Sequence, residues 1–234
     1  FLLAQRVDAN ARQQRGWMVA AWAGLALAVL SKGIVALVLT GATLAVYMVI
    51  SRSIAPLKCM HFLPGLALFA TITVPWFWLV QARNPEFAAF FFVHEHFARF
   101  LTTVHKRAAP WWFFLPILFF ALSPFLSSVK RAAVNAWTAT KPADGIDPLR
   151  FLLVWCAVTL TFFSVSQSKL VPYLLPLMPS IAVLLAQALS ANEQALRRAT
   201  YVASGVLCVL GLGLIGYDWR RNDVISSGVA IWAC

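Results

Sequence analysis

What most limits the fold of this chain is its long apolar runs, broken only by short polar segments. A helix needs about 20 apolar residues to cross the hydrocarbon core of a bilayer. Seven runs approach that length: Trp17–Leu30, Ile34–Ile50, Cys59–Val80, Trp111–Leu126, Phe151–Val165, Leu170–Leu189 and Tyr201–Tyr217. Hydrophobic residues make up 61% of the chain and charged ones 12%, which excludes an ordinary soluble domain. Inside lipid every backbone N–H and C=O must find a partner within the protein, which such runs achieve as helices. The expected fold is all-α, a polytopic transmembrane bundle of about seven spans.

The net charge of +11 suggests nucleic acid, but Lys and Arg are scattered over every loop and form no continuous basic stripe. With loops allocated to alternate sides, eleven of the 19 fall with Arg6, Lys58, Lys130 and Arg197, and eight with Lys32, Arg99 and Lys169. The positive-inside rule makes the first side cytoplasmic. Residues 81–110 then form an outer loop, and 129–149 a cytoplasmic linker, turn-rich around Lys141-Pro-Ala-Asp-Gly. Cys59, Cys156, Cys208 and Cys234 show no paired spacing and read as small buried hydrophobes. The sequence opens at Phe1 without Met and closes at Cys234 within an apolar run; the expectation is that residues 1–234 are a fragment of a longer polytopic protein.

The outer loop is where chemistry is expected. His94, Glu95, His96 and Arg99 crowd into six residues, a costly concentration of ionisable groups beside a membrane. Phe90, Val93, Phe97, Phe100, Leu101 and Val104 recur at helical spacing, with Glu95, Arg99, Thr102 and Lys106 opposite. That pattern predicts a helix lying in the outer membrane interface, with Trp111 and Trp112 anchoring the next span. Arg99 presents a planar fork suited to phosphate, although a Glu95–Arg99 surface pair fits the same spacing. His94 and His96, two residues apart, point roughly 200° away from each other on a helix and do not make a metal pair.

Lys32 and Lys169 each occupy a short outer turn between apolar spans. Either alone could be a snorkelling side chain. Together with Arg99 on the same side they would make a cationic pocket, with Tyr173 one turn deeper to donate a phenolic hydrogen bond. Pro172, Pro176 and Pro179 predict an irregular first half for the helix that follows Lys169.

Three segments resemble a known family. His94-Glu-His-Phe-Ala-Arg-Phe100, followed by His105-Lys-Arg-Ala-Ala-Pro-Trp-Trp-Phe-Phe-Leu-Pro116, resembles the outer-loop signature of bacterial lipid A aminoarabinose transferases and related protein O-mannosyltransferase-like enzymes of the GT-C class. Ser31-Lys-Gly33 is similar to the family's Thr/Ser-Lys-Gly turn, and Ser166-Gln-Ser-Lys-Leu-Val-Pro-Tyr-Leu-Leu-Pro176 to its Ser-Lys-Leu-x-x-Tyr-x-Leu-Pro segment.

The resemblance implies transfer of a sugar from a polyprenyl-phosphate carrier to a lipid A-like, other glycolipid or protein acceptor, on the periplasmic face of the inner membrane. It puts Arg99 and Tyr173 at the carrier phosphate and the turn lysine at Lys32. The donor-phosphate set is then Arg99, Tyr173, Lys32 and Lys169, supported by Glu95 and His96. The family's catalytic carboxylate is expected upstream of Phe1, so the general base is unassigned and the isolated fragment is expected to be inactive. A divalent cation is compatible with phosphate chemistry, but no ligand set here demands one. The competing reading is a lipid-carrier transporter or flippase using the same pocket; it would gain from inverted repeats, and none is visible.

Overall fold

A computed structural model describes residues 1–6, 8–88, 90–91, 109–138, 146–190 and 193–220. These are helical, with no strand among them. The helices are α1 (Ala11–Lys32), α2 (Val35–Ser51), α3 (Phe62–Arg83), α4 (Phe114–Ala121), α5 (Leu126–Thr138), α6 (Pro148–Val165), α7 (Met178–Ser190) and α8 (Glu193–Arg220). The predicted interfacial helix beyond Phe91, with Glu95, His96 and Arg99, lies outside the described residues.

Helices occupy all seven predicted places, and the expected count of about seven spans is met in part. Among the described residues four segments are long and apolar enough to cross a membrane: α3, α6, Val171–Ser190 and the part of α8 up to Tyr217. A fifth arises only if α4 and the segment Ser123–Thr138 are counted together, and they meet at 67°. The physical reasons are local. α2 has 17 residues, short of a full crossing. α1 starts among Arg12, Gln13, Gln14 and Arg15, which dilute its apolar character. Pro124 sits in the 3-10 turn Ser123–Phe125, where the run expected to be one span from Trp111 to Leu126 breaks. The linker expected over 129–149 is helical at its start: α5 runs to Thr138 and buries Ala132 and Ala136 against Leu184, Leu185 and Ala188 of α7. Small residues here let the two backbones approach closely.

Two helix boundaries matter for the site. α1 starts in a reciprocal cap: Asn10 Oδ1 accepts the Gln13 N–H at 2.9 Å, and Gln13 Oε1 accepts the Asn10 N–H at 3.2 Å. It stops at Gly33, whose φ of 79° and ψ of −159° form a backbone state only glycine adopts readily. That turn leaves Lys32 as the last helical residue. α1 packs along α3, where Gly65 lies directly against the Trp22 indole; a Cβ on Gly65 would fall 2.0 Å from Trp22 Nε1. Trp22 Nε1 donates to the Met60 carbonyl at 2.9 Å and its ring meets Phe62 edge-on.

The proline-rich stretch after Lys169 is a 3-10 helix, Val171–Leu177, that continues into α7. Trp155 of α6 donates through Nε1 to the Pro176 carbonyl at 3.0 Å, so an acceptor of this irregular stretch is satisfied from a neighbouring helix. Contacts between distant residues define two ends of the bundle. Lys32 meets Tyr173 at one end, while Gln5 meets Pro56 and Tyr47 meets Asp147 at the other.

Candidate functional site

A cavity of about 820 Å³ lies between α1, α2, α6 and the Val171–Leu177 turn. Most of its wall is apolar, including Met18, Trp22, Leu25, Leu39, Leu44 and Phe151. At one end the character changes to Ser31, Lys32, Ser166, Ser168 and Tyr173. Met18 and Lys32 both line it on the same helix, and a rise of about 1.5 Å per residue makes the trough on the order of 20 Å long.

The polar end is built by two chain reversals. Gly33 ends α1 so that the Lys32 ammonium projects beyond the helix, where its Nζ lies 5.9 Å from the Tyr173 ring centroid. That places it at the outer limit of a cation–π contact. The Tyr173 ring stacks on Phe163 of α6, with centroids 4.7 Å apart, and this holds the phenol in place from one side. Sequence reasoning thus grouped Lys32 with Tyr173, and the two are neighbours in space. Phe91, described just before the segment that carries Arg99, lines the same cavity.

Lys169 sits elsewhere. Its ammonium donates to the Ser166 carbonyl at 2.5 Å, and it lines a second cavity of about 470 Å³ with Trp111, Leu115 and Gln167. It is not among the residues around the larger cavity. The cause is the tight loop 166–169, in which Ser166 Oγ also donates to the Ser168 carbonyl. This loop sends the lysine back towards the C-terminus of α6 while the chain goes on to present Tyr173 to the other side. A positive charge is well placed at that helix end. Burial with little compensating charge pulls the Lys169 pKa below its ordinary value.

Sequence reasoning did not single out Trp155, which lines the larger cavity and also ties Pro176 to α6. An isolated tryptophan in an apolar run carries no signal of that role. Among the described residues no Asp or Glu lines the larger cavity. Among the described residues no group of His, Cys, Asp or Glu is placed to hold a metal ion.

Comparison with known proteins gives the geometry its context. No family model matches the chain. An undecaprenyl phosphate-alpha-4-amino-4-deoxy-L-arabinose arabinosyl transferase from Pseudomonas aeruginosa is 34% identical over 227 residues, covering 93% of this chain and 40% of that protein. One from Pseudomonas fluorescens is 34% identical over 173 residues, 72% of this chain and 29% of its own. The crystal structure of ArnT from Cupriavidus metallidurans bound to undecaprenyl phosphate superposes with a TM-score of 0.79 at 31% identity, over 96% of this chain and 40% of that one. The chain belongs to the aminoarabinose transferase family. It is a helical membrane protein that spans about 40% of the length of the relatives matched over nearly its whole length. The apo form of the same ArnT gives a TM-score of 0.76 at 30% identity.

Proposed function

We propose that the protein containing this chain is a membrane glycosyltransferase that moves a sugar from a polyprenyl-phosphate carrier to an acceptor. The carrier's hydrocarbon chain would lie along the larger cavity and its phosphate at the Lys32–Tyr173 end. The observation that carries this reading is one cavity joining a long apolar wall to a single cationic, hydroxyl-bearing end. Two relatives support it: the Pseudomonas aeruginosa enzyme is named for an undecaprenyl phosphate sugar donor, and ArnT was crystallised with undecaprenyl phosphate. By that kinship the sugar is an aminoarabinose, and the acceptor a lipid A-like glycolipid, another glycolipid or a protein.

In the reaction the bond between the anomeric carbon and a carrier phosphate oxygen breaks, and its electron pair stays on that oxygen. An acceptor oxygen bonds to the anomeric carbon and gives its proton to a base, which none of the described residues lining the cavity supplies. Negative charge therefore grows on the departing phosphate. Donors fixed there stabilise the transition state more than the ground state. Lys32 and Tyr173 fill that role in this reading, with Arg99 as the third group, supported by Glu95 and His96. The cationic end would face the periplasm from the inner membrane, and the linker 129–149 the cytoplasm.

Two experiments test these claims. In the intact enzyme, Arg99→Ala and Tyr173→Phe should each cut transfer by roughly 10²–10³ while leaving protein levels in the membrane unchanged. Wild-type rates in both variants would remove the phosphate role. For sidedness, an impermeant thiol reagent applied to intact spheroplasts should label a lone cysteine at Thr103 but not one at Thr138; the reverse pattern would invert the assignment.

A further inference from the structure

The second cavity contains a group that the proposed transfer does not use. Lys169 is only 6% exposed, yet its ammonium makes one hydrogen bond, to the Ser166 carbonyl, and no ion pair among the described residues. An ammonium has three donors, and burying it without a counter-charge is costly. We propose that this cavity holds the phosphate of a membrane lipid on Lys169, separately from whatever occupies the larger cavity.

The walls favour that occupant over other anions. Trp111, Leu115 and Leu160 give the cavity an apolar side, while Gln167, Ser164 and Thr161 supply amide and hydroxyl groups beside the lysine. Trp111 and Leu115 are themselves well exposed, so the apolar side continues onto the flank of the bundle. A free phosphate would use the lysine and leave that apolar surface in water. A lipid phosphate brings charge to the ammonium and hydrocarbon to the tryptophan and leucine at once. Trp111 stands where an interfacial anchor is expected, which sets the cavity at headgroup depth. Burial lowers the Lys169 pKa, as expected for an ammonium drawn out of water. The loop 166–169 lies between this cavity and the larger one: Ser166 and Ser168 border the larger cavity, Gln167 and Lys169 the smaller. The alternation turns successive side chains to opposite faces of one short segment. The proposal does not depend on what the larger cavity binds.

The test is native mass spectrometry of the intact protein released from nanodiscs. It is titrated separately with phosphatidylglycerol, a phosphorylated glycolipid, their uncharged counterparts (diacylglycerol and the dephosphorylated glycolipid), and undecaprenyl phosphate. Lys169→Gln should weaken at least one of the two phosphate-bearing lipids about 10-fold, the scale of a lost hydrogen bond to a charged group. Neither uncharged lipid should change, nor should undecaprenyl phosphate. Thr161→Trp fills the cavity from its rim without touching the Ser166 bond, and should reproduce the loss if Lys169→Gln disturbs the loop. A greater loss for the glycolipid would identify an acceptor-like ligand; a greater loss for phosphatidylglycerol would identify a resident membrane lipid. Unchanged binding of both phosphate lipids in both variants would overturn the proposal and leave Lys169 as a cap on α6. Loss of undecaprenyl phosphate in both variants would overturn it equally, because the lysine would then serve the larger cavity.

Discussion

The two ends of the bundle hold similar residues and use them in opposite ways. At the end formed by Ser51–Met60 and Ile146–Arg150, Tyr47, Asp147 and Arg150 are committed to the fold. Asp147 Oδ1 accepts the backbone N–H groups of Leu149 and Arg150, which caps α6. Tyr47 accepts the Asp147 N–H through its hydroxyl at 2.8 Å. Arg150 donates to the Trp137 carbonyl and lies over that indole ring. At the other end, Lys32 is exposed at the mouth of a large cavity, and its recorded neighbour is the face of an aromatic ring. A cation held by the protein's own carbonyl and aromatic groups is part of the scaffold. One that faces an 820 Å³ cavity beside a phenol has capacity left for a ligand. That contrast, more than the presence of charge, is what makes the Lys32 end the candidate site.

The largest effect should come from Lys32. Lys32→Gln keeps the side chain's length and polarity but removes the charge. If the ammonium stabilises the departing phosphate, transfer in the intact enzyme should fall by roughly 10²–10³, a barrier increase of about 2.7–4 kcal/mol. Thermal stability should not change, since among the described residues this ammonium makes no hydrogen bond or ion pair. Steady-state kinetics alongside a melting curve read both quantities. A variant that loses stability instead of rate would make Lys32 another Arg150 and erase the distinction between the ends.

An intermediate effect is expected where packing holds the cavity wall. Gly65→Ala would drive a methyl into the Trp22 indole, which lines the larger cavity and is anchored to Met60. Overpacking of this kind costs about 1–3 kcal/mol, and here the nearest atoms belong to a rigid ring. The expected result is a lower unfolding temperature together with weaker binding of undecaprenyl phosphate, because Trp22 must leave its place in the wall. Lower stability with unaltered binding would mean that this wall does not touch the ligand.

Some of this architecture was legible in the sequence and some was not, for definable reasons. Apolar runs placed every helix except α5, most of which lies in the expected linker, because helix formation is the general way to satisfy a backbone in lipid. Where the runs divide was less legible: hydropathy sums do not register that Pro124 turns the chain through 67°, or that Pro172 and Pro176 tighten the start of the next helix into a 3-10 turn. Lys32 and Tyr173 could be grouped because each stands in or just after a short polar turn predicted for the same side. Lys169 satisfied the same rule and still turned away. The direction of a side chain in a four-residue loop is set by local hydrogen bonds such as Ser166 Oγ to the Ser168 carbonyl, which composition cannot reveal. The meeting of Gly65 with Trp22 was equally hidden, since it depends on how two helices face each other.

The smallest effect is expected at the opposite end. Asp147→Ala removes the side-chain acceptor for two N–H groups at the start of α6 and the carboxylate 4.0 Å from Arg150 Nε; the lost cap alone costs about 0.5–2 kcal/mol. The loss should stay local. Tyr47 would still accept the backbone N–H of residue 147, and Arg150 would still reach the Trp137 carbonyl, since neither bond uses the carboxylate. Pro148 at the first turn, with its fixed φ and no N–H to satisfy, would go on favouring a helix start there. Asp147→Asn should restore most of the stability, because an amide oxygen caps nearly as well as a carboxylate. Transfer by both variants should match the wild type at temperatures below their melting points. If Asp147→Asn were stable but slow, the carboxylate's charge would matter to turnover, and this end of the bundle could no longer be treated as scaffold alone.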